Sequence, residues 1–121
     1  MKFKLIIAFV DDAATDNVLD AARQAGATGV TVINNARGEG VKRQTTFLGL
    51  QLEVQRDVLL FLVEEHMARD ILNTIEQTAG FEEHPGQGIA IQLDVEDTVG
   101  LTHQAQELLK VVQGDEGEES S

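Results

Sequence analysis

The chain has 121 residues, with 21 acidic against nine basic side chains and a formal charge of -12; the length suits one domain, and the balance excludes a broad phosphate-gripping surface, which needs clustered Lys and Arg. With no Trp, no Tyr and five Phe, it lacks the aromatic platforms on which sugars and unpaired bases stack. The absence of Cys excludes disulfide frameworks, zinc ribbons and thiol catalysis.

The opening "MKFKLIIAFV" is an apolar run that stops at Asp11 and Asp12 with no small-residue cleavage pattern, so it reads as a strand over 2–10 rather than a leader. No stretch is long enough to span a bilayer, and the expectation is a cytoplasmic protein without direct membrane insertion. Thr15 or Asp16 is placed to cap a helix running to about Gly26, with Val18, Leu19, Ala22 and Ala25 on one stripe. "TGVTVINNA" then alternates as a second strand, and after a Gly-punctuated stretch "DVLLFLVEE" (57–65) forms a third. A helical pattern from about His66 to Ala79 carries Ile71, Leu72 and Ile75 on one side. The turn "EEHPGQG" leads into a fourth strand, "IAIQLDV", and a short helix is expected from about Thr102 to Val112. The last residues, 114–121, carry four acids and no apolar side chain, the composition of a disordered tail.

The order βαββαβ describes an α+β, ferredoxin-like sandwich: a four-stranded antiparallel sheet with both helices on one face. The other face needs cover, because "KLIIAFV" and "VLLFLV" place apolar residues on both sides of the sheet. Periodicity demands only the cover; closed association through the sheet faces, in particular a homotrimer, is the expectation set beside it.

Charge is uneven within the body. Without the tail, 17 acids face nine bases, yet 37–56 holds Arg37, Lys42, Arg43 and Arg56 against only Glu39 and Glu53. A short positive segment thus lies beside Gly38 and Gly40, whose backbone amides can approach an anion closely; a solvated loop that merely carries charge explains the same pattern.

The stretch "AARQAGATGVTVINNARGEG" resembles the part of P-II signal proteins that closes the first helix and enters their long T-loop, and "EEHPGQGIAIQLDVED" resembles their B-loop and fourth strand. The resemblance covers 2 to about 101; its most specific pieces are "GATGVTV", the "GEG" of Gly38–Gly40 and the "PGQG" of Pro85–Gly88. It implies one P-II-like domain over 1–113, with a T-loop at about 37–56 and a B-loop at about 82–89. It further implies a homotrimer that binds small molecules, usually adenine nucleotides (ADP, AMP or ATP), in clefts between subunits, with no obligatory cofactor. The regulated partner would be a membrane transporter or a metabolic enzyme. By the same resemblance the base lies beside Thr31 and Leu62. The phosphates lie between the T-loop base, with Arg37, Gly38, Gly40, Lys42 and Arg43, and a neighbour's B-loop, with Gly86, Gln87 and Gly88. Three family cations are missing: Ile89 stands where a Lys follows the B-loop glycines, and Leu101 and His103 replace a pair of Arg. So little countercharge weakens the case for a triphosphate and makes AMP, ADP, a cyclic nucleotide or another anion comparable ligands, with Arg37, Arg56 or His103 as substitute cations.

Phe47, Leu48, Leu50 and Leu52 offer an apolar T-loop tip for docking a partner; a β-hairpin packed on the same trimer is the competing explanation. No GxSxG, Walker loop or thiol is present, so no catalytic residue is assigned and an enzyme is the least favoured reading. The repeated triplets Glu64-Glu65-His66 and Glu82-Glu83-His84 suggest a divalent-metal-responsive protein of the same architecture as an alternative. They stand at opposite ends of one helix, about 20 Å apart, and acids at a helix start ordinarily cap it.

Overall fold

A computed structural model describes residues 2–36, 46–47, 50–51, 56–84 and 88–101. The first strand, β1 (Phe3–Asp11), leads through a short 3-10 turn (Asp12–Ala14) into α1 (Thr15–Gln24), and β2 (Thr31–Ala36) follows. Next come two short strands, β3 (Thr46–Phe47) and β4 (Leu50–Gln51), then β5 (Arg56–Glu64), α2 (Glu65–Ala79) and β6 (Ile89–Asp94). The four long strands form one antiparallel sheet in the order β2-β5-β1-β6. Both helices lie against one side of it, so the α+β, ferredoxin-like arrangement read from the sequence is the arrangement found.

The period-2 rule accounts for the core. Ile6, Ala8 and Val10 of β1 and Leu59, Phe61 and Val63 of β5 are buried, and they join Val18 and Ala22 of α1 and Ala68, Ile71 and Ile75 of α2 in one cluster. The helices therefore spend their apolar stripes on the sheet, as their spacing requires.

The opposite face is apolar too. Leu5, Ile7 and Phe9 of β1 and Val58, Leu60 and Leu62 of β5 are half-buried, and their register continues the patch across the sheet. Ile7 lies opposite both Leu60 and Ile91, and Leu5 opposite both Leu62 and Leu93. Ile33 and Leu93, near the two edges, are 48% and 45% exposed.

Helix boundaries depart from expectation in instructive ways. Neither Thr15 nor Asp16 caps α1. Asp11 accepts from the Ala13 amide at 2.9 Å and starts the 3-10 turn, while Thr15 is buried and its hydroxyl donates to Asp57 Oδ2 at 2.6 Å. The hydroxyl thus satisfies a buried carboxylate rather than a helix amide. Helix α1 also stops at Gln24 instead of near Gly26. Gly26 takes φ +119° just beyond it, and its amide bonds the Arg23 carbonyl at 3.1 Å, a role glycine fills without a Cβ penalty. The start of α2 moves one residue forward to Glu65, and its end at Ala79 is closed by Gly80 with φ +70°.

Phe47 and Leu50 are partners in the small β3–β4 ladder, so the hairpin foreseen for this stretch exists at the backbone level. Leu48, the helix expected at 102–112 and the tail at 114–121 lie outside the described residues. No described helix is long and apolar enough to cross a membrane.

Candidate functional site

The end of the sheet from which the 37–55 excursion departs is built around charged residues. Asp11, the last residue of β1, lies opposite Arg56, the first of β5, and Ala36, the last of β2, lies opposite Arg56 from the other side. Arg56 is 2% exposed and Asp57 6%. Burial pushes the Arg56 guanidinium below its ordinary pKa while the Asp11 carboxylate opposes the shift; arginine keeps its proton regardless. Together with the Thr15–Asp57 hydrogen bond, these residues pin the base of the excursion to α1 and β1. Sequence reasoning saw Arg56 as one more loop cation and missed the knot, although a charged Arg-Asp pair opening an otherwise apolar strand was its visible sign.

Thr31 and Leu62 stand on neighbouring strands. Thr31 lies opposite Leu60, so it shares the open face with Leu62, one diagonal step away, within reach of a single planar ligand. Leu62 is half-buried and Thr31 exposed. Gly88 is at the far edge, just before β6, where Ile89 lies opposite Phe9. The strand order puts three inter-strand spacings of about 4.8 Å between the β2 and β6 edges, about 14 Å in all. Both loops nonetheless leave the same end of the sheet, since Phe9, Val10 and Asp11 run level with Val58, Asp57 and Arg56. Thr31 and Leu62 thus lie toward one edge of the sheet and Gly88 at the other. Arg37, Gly38, Gly40, Lys42, Arg43, Gly86, Gln87 and His103 lie outside the described residues.

Gly88 is buried for a reason the sequence did not reveal. A Cβ there would overlap the Phe81 ring edge and lie 2.6 Å from the Phe9 carbonyl oxygen. Gly88 therefore enters β6 flush against Phe9 and Phe81.

Of the two acid–histidine triplets, Glu64, Glu65 and His66 bring their donor atoms within 4.8 Å of one another. The geometry is that of a helix cap. Glu64 accepts from the His66 amide at 2.8 Å and also pairs with His66 Nδ1, and the Glu65 amide bonds the Lys2 carbonyl at 3.0 Å. The metal-responsive reading gains no support from it. The hydrogen bond to Glu64, reinforced by its charge, raises the His66 pKa above its ordinary 6.5. A raised pKa means that the stabilisation is complete below the unfolded value and is lost as pH rises through the folded one. The stability difference between the native chain and His66→Ala is therefore expected to shrink as pH increases from about 6 upward, read as denaturation midpoints across pH; a pH-independent difference would refute the pairing.

A family model described as nitrogen regulatory protein P-II matches residues 3–105. Among solved structures, the apo form of CPII from Thiomonas intermedia K12, a nitrogen regulatory PII-like protein, is 18% identical with a TM-score of 0.59, over 78% of this chain and 90% of that one. CPII from the same organism bound to ADP, AMP and acetate is 18% identical with a TM-score of 0.60, over 83% and 92%. A putative PII-like signaling protein from Thermus thermophilus is 24% identical with a TM-score of 0.56, over 78% and 87%. No curated protein matches the sequence.

Proposed function

We propose, from the premise that this chain belongs to the nitrogen regulatory protein P-II family, that it is a cytoplasmic homotrimeric sensor in which an adenine nucleotide or related anion binds between subunits and sets the state of a partner-controlling T-loop. The observation that carries the reading is the placement of the two loops: same end of the sheet, opposite edges. Such half-sites complete each other only when the β2 edge of one chain meets the β6 edge of the next. The apolar open face with Leu5, Ile7, Leu60 and Leu62 supplies the surface on which the subunits close.

Within that cleft, Thr31 and Leu62 receive the base. Arg37, Gly38, Gly40, Lys42 and Arg43 of one chain and Gly86, Gln87 and Gly88 of its neighbour surround the phosphates, with His103 as a further donor. Because Ile89 and Leu101 carry no charge, the site favours one or two phosphates over three. The solved relative that holds ADP and AMP supports this preference. The protein acts as a regulator rather than an enzyme, through the T-loop segment 37–56 and its tip at Phe47, Leu48 and Leu50; a membrane transporter or a metabolic enzyme is the partner class.

A thermal-shift series with AMP, ADP, ATP and bicarbonate tests the reading. At a hundredfold excess over Kd a ligand adds about 2.7 kcal/mol to stability, so AMP or ADP is expected to raise the melting temperature by several degrees and ATP by less. Replacing Lys42 and Arg43 by Ala should remove most of that rise. No shift at millimolar nucleotide would overturn the sensor reading, and an undiminished shift in the double variant would misplace the phosphates.

A further inference from the structure

Where the 37–55 excursion returns to the sheet, the first two residues of β5 are held from opposite faces. Neighbours along a strand point to opposite sides. Asp57 shares its side with Leu59, Phe61 and Val63 and faces the helices, whereas Arg56 falls on the open side with Val58, Leu60 and Leu62. Both are buried, and buried charges persist only where partners are supplied.

On the helix side the partner is Thr15, the first residue of α1, itself buried, whose hydroxyl donates to Asp57 Oδ2 at 2.6 Å. The helix makes no use of that hydroxyl: α1 begins without a side-chain cap, and the turn before it is held by Asp11. On the open side Asp11 lies opposite Arg56, and so does Ala36, the residue at which β2 ends and the excursion begins. Ala36 follows a shift in register that starts at Ile33, and such a shift bends a strand and re-aims what comes after it. Both legs of the excursion therefore converge on the start of β5, and the Thr15–Asp57 bond is what ties that point to α1.

The place where a base would lie is held differently. Thr31 lies opposite Leu60 and Leu62 opposite Leu5, in ladders that continue without the hydroxyl. A buried carboxylate deprived of a hydrogen bond moves toward water, and a binding group loses affinity when its support is loosened.

We infer that Thr15 is a positioning residue for ligand binding: through Asp57 it fixes the start of β5 and with it the phosphate half of the nucleotide cleft, leaving the base half unaffected. The inference rests on the nucleotide reading above and assigns that cleft a determinant on α1, which does not line it.

The test titrates the assembled full chain with ADP and with adenosine, following the Leu62 methyl signals, in the native protein, Thr15→Val and Thr15→Ser. Valine keeps the branched shape and removes the hydroxyl; serine keeps the hydroxyl. In Thr15→Val the affinity for ADP is expected to fall at least tenfold and that for adenosine less than twofold. Thr15→Ser should bind ADP within threefold of the native value. Thr15→Ala, which brings no added methyl against Asp57, carries the same expectation as Thr15→Val and decides the matter if the valine variant does not fold. A residue that merely stabilised the fold would weaken both ligands alike. Equal losses for ADP and adenosine, an undiminished ADP affinity without the hydroxyl, or a serine variant no better than valine or alanine overturns the proposal. No Leu62 response to ADP in the native chain defeats the nucleotide reading and this inference with it, whereas a native response that survives loss of the hydroxyl defeats this inference alone.

Discussion

Replacing Phe61 by alanine is expected to remove about 3 to 5 kcal/mol of stability, the largest effect of any single truncation among the described residues. Phe61 stands at the middle of β5, opposite Ile6, with none of its surface exposed. Its ring belongs to the one cluster that joins the sheet to both helices through Val18, Ala22, Ile71 and Ile75. Removing it leaves a void that close-packed neighbours cannot fill without moving β5 against α2. Domains of this size hold about 5 to 15 kcal/mol in total, so the variant should unfold at a much lower urea concentration with a nearly unchanged slope. Val99, 94% exposed, provides the contrast: its truncation to alanine should change stability by less than about 0.5 kcal/mol. Both measurements belong at one protein concentration, since assembly adds to apparent stability. A loss below about 1 kcal/mol for Phe61→Ala would show that the ring does not fill the space assigned to it.

The second large effect is expected at Gly88. An alanine there meets the Phe81 ring, which can turn aside, and the Phe9 carbonyl 2.6 Å away, which belongs to the ladder between β1 and β6 and cannot. Overpacking of this kind costs about 1 to 3 kcal/mol, and valine should cost more than alanine. A double-mutant cycle separates the two contacts. In a Phe81→Ala background the Gly88→Ala loss should fall but not vanish, because the backbone clash persists. An equal loss in both backgrounds would mean that the ring is not the obstacle. The result also bears on ligand binding: a glycine needed for packing weakens nucleotide affinity when replaced even if its amide never touches a phosphate. Only a melting shift measured against each variant's own baseline separates the two effects.

The strands, both helices and their order were legible because burial on a sheet enforces a period of two and burial on a helix a period of 3.6. The second apolar face was legible for the same reason, since Leu5, Ile7, Leu60 and Leu62 break the alternation a wet face would show. What escaped was set by contacts between residues distant in sequence. Thr15 looks like a cap until Asp57, 42 positions away, is folded beside it. At Gly88 the sequence suggests only an anion-binding glycine, and the second demand on it, close packing against Phe9 and Phe81, comes from residues brought in by the fold. Arg56 looks like a loop cation until the ends of β1 and β2 enclose it. The capping role of the Glu64-Glu65-His66 triplet was legible beforehand, because a helix start supplies its own local reason for acids.

The strand order carries one last consequence, about symmetry. The sheet's two edges are unlike: one is β2, beside the 37–55 excursion, and the other is β6, beside the 82–88 turn. A two-fold axis pairs like with like, so it would set turn against turn and leave every proposed cleft half-built. Only a head-to-tail, heterologous contact joins the complementary halves, and such contacts either close into a ring or continue into a fibre. In a closed ring the number of complete clefts equals the number of chains, and each chain belongs to two of them. Any ligand held there reports on a pair of neighbours rather than on one subunit.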